Sequence, residues 1–216
     1  MKKQQIIVGI IVILLTVGLS GCTSENPDDL YNEAQTFQNQ GDYESAIGTY
    51  EELIYSYANY ENISKVKEEI PRCYFEWGEQ LQNQGLYQEA MLKYSVIIQS
   101  YPDSHYESDA VNRIIEIGEL ANTTLSIPSP EREYVGGNCS IVEMKNDADI
   151  PVTLVFTGPT YKSITMETGE FVQLEFNPGV YYLVGIASGV IPFKGVEDLS
   201  VGYKYSWTWF IETTYY

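Results

Sequence analysis

Apolar and aromatic residues in the first half of the chain recur at helical spacing, and the same pattern occurs twice. Ala46, Tyr50 and Ile54 follow one another every four residues, as on one face of an α-helix. The same residue types return 44 residues later, and the recurring pairs are Gly41 and Gly85, Tyr43 and Tyr87, Ala46 and Ala90, Tyr50 and Tyr94, Ile54 and Ile98, and Tyr57 and Tyr101. A fixed period of this size predicts stacked units of the same supersecondary structure.

Each copy is predicted to be a pair of helices that is broken at a glycine. Gly41 and Gly85 stand where a first helix ends, because glycine is the residue that most readily adopts the conformation of a helix C-terminus. A second helix begins directly afterwards. The small side chains of Ala46 and Ala90 indicate that the two helices approach closely there.

The pattern resembles the tetratricopeptide repeat, a helix pair of 34 residues that stacks into arrays. The matching positions are Leu30, Ala34, Phe37, Gly41, Tyr43, Ala46, Tyr50 and Leu53 in the first copy, and Tyr74, Gly78, Leu81, Gly85, Tyr87, Ala90, Tyr94, Ile97 and Pro102 in the second. The resemblance covers residues 27–121 and implies a helical hairpin array. It also implies that the first helix of each pair binds peptides, through Asp28, Tyr31, Gln35, Gln38 and Asn39 and through Arg72, Phe75, Glu79, Gln82 and Asn83.

The period exceeds the family's repeat length by ten residues, which fall at positions 61–70. They are expected to form a separate short helix or an irregular extension, and Pro71 is expected to restart a helix at its first turn. A further helix is predicted over residues 104–121, with Ser104 and Glu107 as a capping box, and it would cap the array. Its entry string, Tyr-Pro-Asp-Ser, is similar to repeats of bacterial envelope lipoproteins that assist outer-membrane protein assembly.

The second half of the chain has the pattern of β-strands. Residues 122–137 contain two prolines and two glycines without an apolar period, and they are predicted to be a linker. Strands are predicted at positions 141–145, 152–157, 163–167, 171–176, 180–187 and 203–212. The sequence therefore predicts an α + β protein with separate domains, the second being an antiparallel β-sandwich over residues 138–216.

The N-terminus has the pattern of an export signal. Lys2 and Lys3 precede an apolar stretch over residues 6–19, and Leu-Ser-Gly-Cys then ends at Cys22. This resembles the lipobox of prokaryotic lipoproteins, which implies a signal peptide at 1–21, a lipid on Cys22 and a short tether at 22–26. An extracytoplasmic location on a membrane follows from that resemblance. A plain secretory signal or an uncleaved anchor are the alternatives, although the apolar stretch is short for a span.

The charge of the chain limits its possible partners, and its cysteines raise the question of a disulfide. Without the signal peptide the chain has 10 basic and 30 acidic residues, a net charge of −20. Such acidity argues against nucleic acid as a partner and against docking on anionic lipid, so the lipid on Cys22 would be the membrane link. Cys73 and Cys139 could pair in an oxidising compartment and would then join the two predicted domains, but the favoured prediction is that both are free, buried thiols.

No motif of catalysis, metal binding or cofactor binding occurs in the chain. The single histidine, His105, stands next to Ser104, and adjacent residues do not form a catalytic triad. Asp147 and Asp149 are predicted to lie in a polar turn rather than to bind a cation. Glycosylation sequons occur at Asn62, Asn122 and Asn138.

Two classes of function remain, neither of them enzymatic and neither with a cofactor. The first is a scaffold or adaptor that binds another envelope protein or peptide through the amide-rich face of the repeats. The alternative is a surface glycan-binding module, because the second half is rich in tyrosine and tryptophan, which stack on sugars as well as fill cores. The oligomeric state is left open by the sequence.

Overall fold

A computed structural model describes residues 26–120 and 127–209. The predicted signal peptide, Cys22, Asn122 and the predicted end of the last strand lie outside these residues. Five helices are followed by eight strands. The helices are α1 (Pro27–Gln40), α2 (Tyr43–Ser56), α3 (Ile63–Asn83), α4 (Tyr87–Ser100) and α5 (Glu107–Leu120). The strands are β1 (Glu131–Tyr134), β2 (Ser140–Asn146), β3 (Val152–Thr157), β4 (Lys162–Met166), β5 (Phe171–Phe176), β6 (Gly179–Ala187), β7 (Phe193–Leu199) and β8 (Tyr203–Trp209).

The two predicted helix pairs are confirmed as α1–α2 and α3–α4. Gly41 ends α1 with φ at 77°, and its N–H donates to the carbonyl oxygen of Gln38. Gly85 has the same φ of 77° after α3, a value that costs other residues strain. Ala46 and Ala90 are completely buried between the paired helices, as predicted.

Helix α3 corrects the interpretation of residues 61–70. Positions 61 and 62 form a turn, and residues 63–70 are the start of α3, which runs without interruption for 21 residues with Pro71 in its interior. Proline removes one backbone donor from an interior turn. Val66, Ile70 and Cys73 are buried along one stripe on both sides of Pro71, and their packing holds the two parts of the helix in line.

The capping box predicted for the third helix is wrong. Helix α5 begins at Glu107, and the buried Oγ of Ser104 has no hydrogen-bond partner in the described part of the chain. The carboxylate of Glu107 instead accepts a hydrogen bond from the hydroxyl of Tyr161 in the second half, at 2.7 Å. The glutamate therefore links the two halves of the protein rather than capping its own helix.

The strands form two four-stranded sheets, in the orders β1-β8-β2-β5 and β4-β3-β6-β7. All neighbours are antiparallel except β2 and β8, which are parallel, with Val142 opposite Tyr205. The pairing is therefore antiparallel with one exception. A core of buried side chains from both sheets lies between them, and it includes Phe156, Leu183 and Trp207. This packing is that of a β-sandwich.

Two strands lie where the sequence predicted none. Strand β1 falls inside the predicted linker and pairs with β8, with Glu131 opposite Ser206. All four of its residues are exposed, so it has no apolar alternation that a sequence pattern could detect. Strand β7 carries Gly195 and two acidic residues, which weaken its strand pattern. Arg132 of β1 pairs with Glu197 of β7 and so connects the edges of the two sheets.

The sandwich docks on the helical array through the outer side of its second sheet. Strands β3 and β6 are buried on both faces: Leu183 points into the sandwich, whereas Val184, Ile186 and Val155 belong to a cluster with buried residues of α4 and α5. The Nζ of Lys194 also donates to the carbonyl oxygen of Ile115 in α5, at 3.1 Å. The sequence did not predict this contact, which gives the two halves a shared hydrophobic cluster.

Both cysteines of the described residues are free, Cys73 buried and Cys139 half-buried. Burial raises the pKa of the Cys73 thiol to about 12. None of the helices that the structure describes has the length and hydropathy needed to cross a bilayer.

Candidate functional site

The first helices of the two pairs, α1 and α3, lie side by side with α5, and we call the side that they form the inner face. Gln38 of α1 donates to Glu76 of α3 at 2.9 Å. On the other side of α3, Glu79 accepts from Arg113 of α5 at 2.6 Å. The inner face consists of Asp28, Tyr31, Gln35, Gln38, Asn39, Glu69, Arg72, Phe75, Glu76, Glu79, Gln82, Asn83, Tyr106, Arg113 and Glu116.

The part of the inner face on α1 is an ordered chain of polar contacts. Gln35 donates from Nε2 to the hydroxyl of Tyr31 at 3.0 Å, and that hydroxyl is 3.5 Å from Glu69 on α3. The ammonium of Lys65 lies 5.0 Å from the centre of the Tyr31 ring. Asp28, at the start of the helix, accepts from the hydroxyl of Tyr60 at 2.6 Å.

Each repeat also contains a buried tyrosine that donates to a glutamine of the first helix. Tyr50 donates to Gln38 at 3.1 Å, and Tyr94 donates to Gln82 at 3.2 Å. Burial raises the pKa of both tyrosines, so each remains a hydroxyl donor at neutral pH. Gln38 is itself buried. Its amide oxygen accepts from Tyr50, and its amide nitrogen donates to Glu76. Gln38 therefore fixes the pairing of the helices rather than offering a free group to a ligand.

The part of the inner face on α3 and α5 has an aromatic floor. The ring of Phe75 lies 5.4 Å from those of Tyr94 and Tyr106, measured between centroids. The guanidinium of Arg113 lies 6.0 Å from the centre of the Phe75 ring. Phe75 and Tyr106 are half-buried, so parts of both rings border solvent.

Both arginines of the inner face are held by two carboxylates each. Arg72 contacts Glu69 at 3.4 Å and Glu76 at 2.8 Å, one turn of α3 away on either side. These contacts raise the pKa of Arg72, mainly through the hydrogen bond with Glu76. Arg113 is placed in the same way between Glu79 and Glu116, at 2.6 and 3.1 Å.

The structure thus brings together the predicted binding residues on α1 and α3, although it gives them different roles. Asn39 and Asn83 are exposed at the ends of the two helices, as a contact surface requires. Five residues of the inner face were not predicted from the sequence, namely Glu69, Glu76, Tyr106, Arg113 and Glu116. For Glu69 and Glu76 the sequence did contain a signal. They stand three and four residues from Arg72, which places these three side chains on one side of a helix.

The two tryptophans on which the glycan-binding alternative depended are core residues, whereas several tyrosines of the second half are exposed. Tyr205, Trp207 and Trp209 of β8 are buried between the two sheets. Tyr203, at the start of the same strand, is exposed and packs edge-on against Tyr134 of β1. The buried side chains cannot stack on a sugar.

The groups considered for chemistry are not assembled into a reactive site. His105 is exposed and contacts Glu68 at 3.1 Å. Asp147 pairs with Lys145 at 2.7 Å in the predicted polar turn. Within residues 26–120 and 127–209, no group of three or more histidine, cysteine, aspartate or glutamate side chains is placed to hold a metal ion.

Helix hairpins that stack side by side and end on a β-sandwich define a repeat protein with a second, β-rich domain. The family model of the tetratricopeptide repeat matches residues 30–60, which begin inside α1 and include α2, and residues 72–104, which begin inside α3 and include α4. The chain therefore contains two tetratricopeptide repeats, a type of repeat that serves protein–protein interaction. Searches of the curated proteins and of the solved structures gave no significant match.

Proposed function

We propose that this protein is a non-catalytic adaptor, held on the outer side of a membrane by lipid, that binds a segment of another envelope protein on its inner face. The observation that supports the proposal most is that two repeats of an interaction family present their first helices side by side. The residues that family members use for peptides fall on this face, and several of them are exposed.

The chemistry of the inner face suits an extended polypeptide. Arg72, Asn39 and Asn83 offer exposed donors and acceptors, which a peptide backbone can use irrespective of its sequence. The half-buried rings of Phe75 and Tyr106 offer apolar surface beside them. Arg72, Gln35 and Tyr31 are already hydrogen-bonded in place, so these side chains would lose little entropy when a partner binds.

The membrane anchor is proposed from the sequence at Cys22. In the expressing host, Cys22→Ser should abolish metabolic labelling with a fatty acid and slow the removal of the signal peptide. A serine at this position cannot form the thioether that carries the lipid. Continued lipid labelling of the variant would contradict the anchor.

The adaptor role can be tested with a photo-crosslinking amino acid placed at single positions of the full chain in its native membrane. At Asn83, which is exposed on the inner face, it should give a discrete crosslinked product. At Tyr55, which is 91% exposed on α2 and outside the inner face, it should give none. Products from Tyr55 alone, with none from Asn83, would show that the inner face is not the binding surface.

A further inference from the structure

The charges of the inner face define what it can bind. The face carries five carboxylates, from Asp28, Glu69, Glu76, Glu79 and Glu116, against its two arginines and Lys65 at its edge. We infer that the segment bound there is cationic, with lysine or arginine side chains that point at the carboxylates. This inference rests on the proposed function and adds the chemical class of the partner.

The positive charges of the two arginines on the inner face are already balanced by the protein's own carboxylates. Arg72 and Arg113 each contact two carboxylates at 2.6–3.4 Å and keep further N–H donors, so a partner carboxylate would meet either arginine only beside two like charges. Charge-assisted hydrogen bonds of this kind are the stronger class. An acidic segment would also meet the remaining negative charge, and like charges brought together at an interface are strongly disfavoured.

The carboxylates retain the capacity to accept further hydrogen bonds from a cationic partner. Arg113 contacts Oε1 of Glu79 and Oε2 of Glu116, and the side chains of these glutamates are 39% and 49% exposed. A carboxylate has about four acceptor positions on its two oxygens, and a single contact leaves the others for a second donor.

The arrangement around Arg113 shows the kind of site that a partner's cation would enter. Its guanidinium lies over the Phe75 ring and between Glu79 and Glu116. Aromatic faces and carboxylates attract lysine and arginine together, and the ring of Tyr106 lies beside Phe75. The inner face therefore combines the two groups that stabilise a cationic side chain at a partly exposed surface.

Binding of three synthetic decapeptides to the full chain in a non-ionic detergent tests the inference. The peptides alternate serine with lysine, glutamate or glutamine.

The variant Glu76→Gln/Glu79→Gln removes two charges from the inner face, and Glu51→Gln/Glu52→Gln removes two exposed charges from α2. We expect the lysine peptide to bind best. Glu76→Gln/Glu79→Gln should lower the affinity for this peptide about tenfold, as the loss of a charge-assisted hydrogen bond predicts. The second variant should change the affinity less than about twofold, since exposed, distant charges are screened.

The control variant separates a site from the general acidity of the chain. Equal weakening by both variants would mean that the peptide senses only the net charge, and this would overturn the inference. Preferential binding of the glutamate or glutamine peptide would overturn it as well. If crosslinking at Asn83 captures a neutral or acidic segment, the inference fails while the adaptor role stands. If crosslinking occurs only at Tyr55, the proposed function itself fails.

Discussion

Truncation of Ile186 tests the contact between the helical array and the sandwich. Its side chain is completely buried on the outer side of β6, where it belongs to the same cluster as residues of α4 and α5. Ile186→Ala removes three carbon atoms from this cluster, and buried substitutions of this type cost about 2–5 kcal/mol. For a chain of this size, a loss of about 3 kcal/mol should lower the melting temperature by roughly 10 °C.

The same strand offers a matched control. Tyr182 lies two residues before Val184 on the same outer side of β6, but its side chain is 41% exposed and outside the shared cluster. Tyr182→Ala should therefore cost about 1 kcal/mol or less, as is usual for exposed positions. A comparison of the two variants separates the contact with the helices from the contribution of the strand itself.

Thermal melting followed by calorimetry and by circular dichroism at 222 nm, which reports the helices, provides the assay. If the array and the sandwich stabilise each other, Ile186→Ala should lower the transition of the helical signal although Ile186 lies in a strand. The reasoning is refuted if the helical signal melts as in the unsubstituted protein, or if Ile186→Ala and Tyr182→Ala have equal effects.

Two further predictions concern buried groups of the helical array. Gly78→Ala should lower the free energy of unfolding in urea by about 1–3 kcal/mol, because a Cβ there would lie 2.5 Å from the Tyr94 ring. Gly48→Ala, with no atom within 4 Å, should instead stabilise α2 by about 0.5–1 kcal/mol, and a loss at both positions would contradict the packing. In the Cys22→Ser chain, a thiol reagent at pH 8 should modify Cys139 before unfolding and Cys73 only afterwards, since burial raises the Cys73 pKa to about 12. Rapid reaction of both thiols in the folded chain would refute this.

The helix pairs could be predicted from the sequence because their packing repeats with the sequence period. Ala46 and Ala90 are small, and Tyr50 and Tyr94 are buried, for the same geometric reason in both copies. The hydrogen bond from each tyrosine to a glutamine recurs in the same way, so the period contained this signal too. Packing contacts and hydrogen bonds that recur in both repeats can thus be predicted from the sequence period.

The features that could not be predicted depend on contacts between distant parts of the chain. The spacing of Ser104 and Glu107 fits a capping box, but the approach of Tyr161 gives Glu107 another partner. Pro71 has the preference of a helix start, and packing on both sides of it overrides that local preference. Strand β1 is defined by pairing with β8 alone, which its exposed residues do not encode as a pattern.

The contact between the halves also explains how an array of only two repeats can keep an ordered inner face. A terminal helix of such an array has one side without a neighbour, and the sandwich covers α5 with Val155, Val184 and Ile186. Arg113 and Glu116 belong to the same helix, so the position of these inner-face charges depends on how firmly α5 is held. The β-sandwich therefore contributes to the inner face without supplying a residue to it, through the packing that fixes α5 against α4.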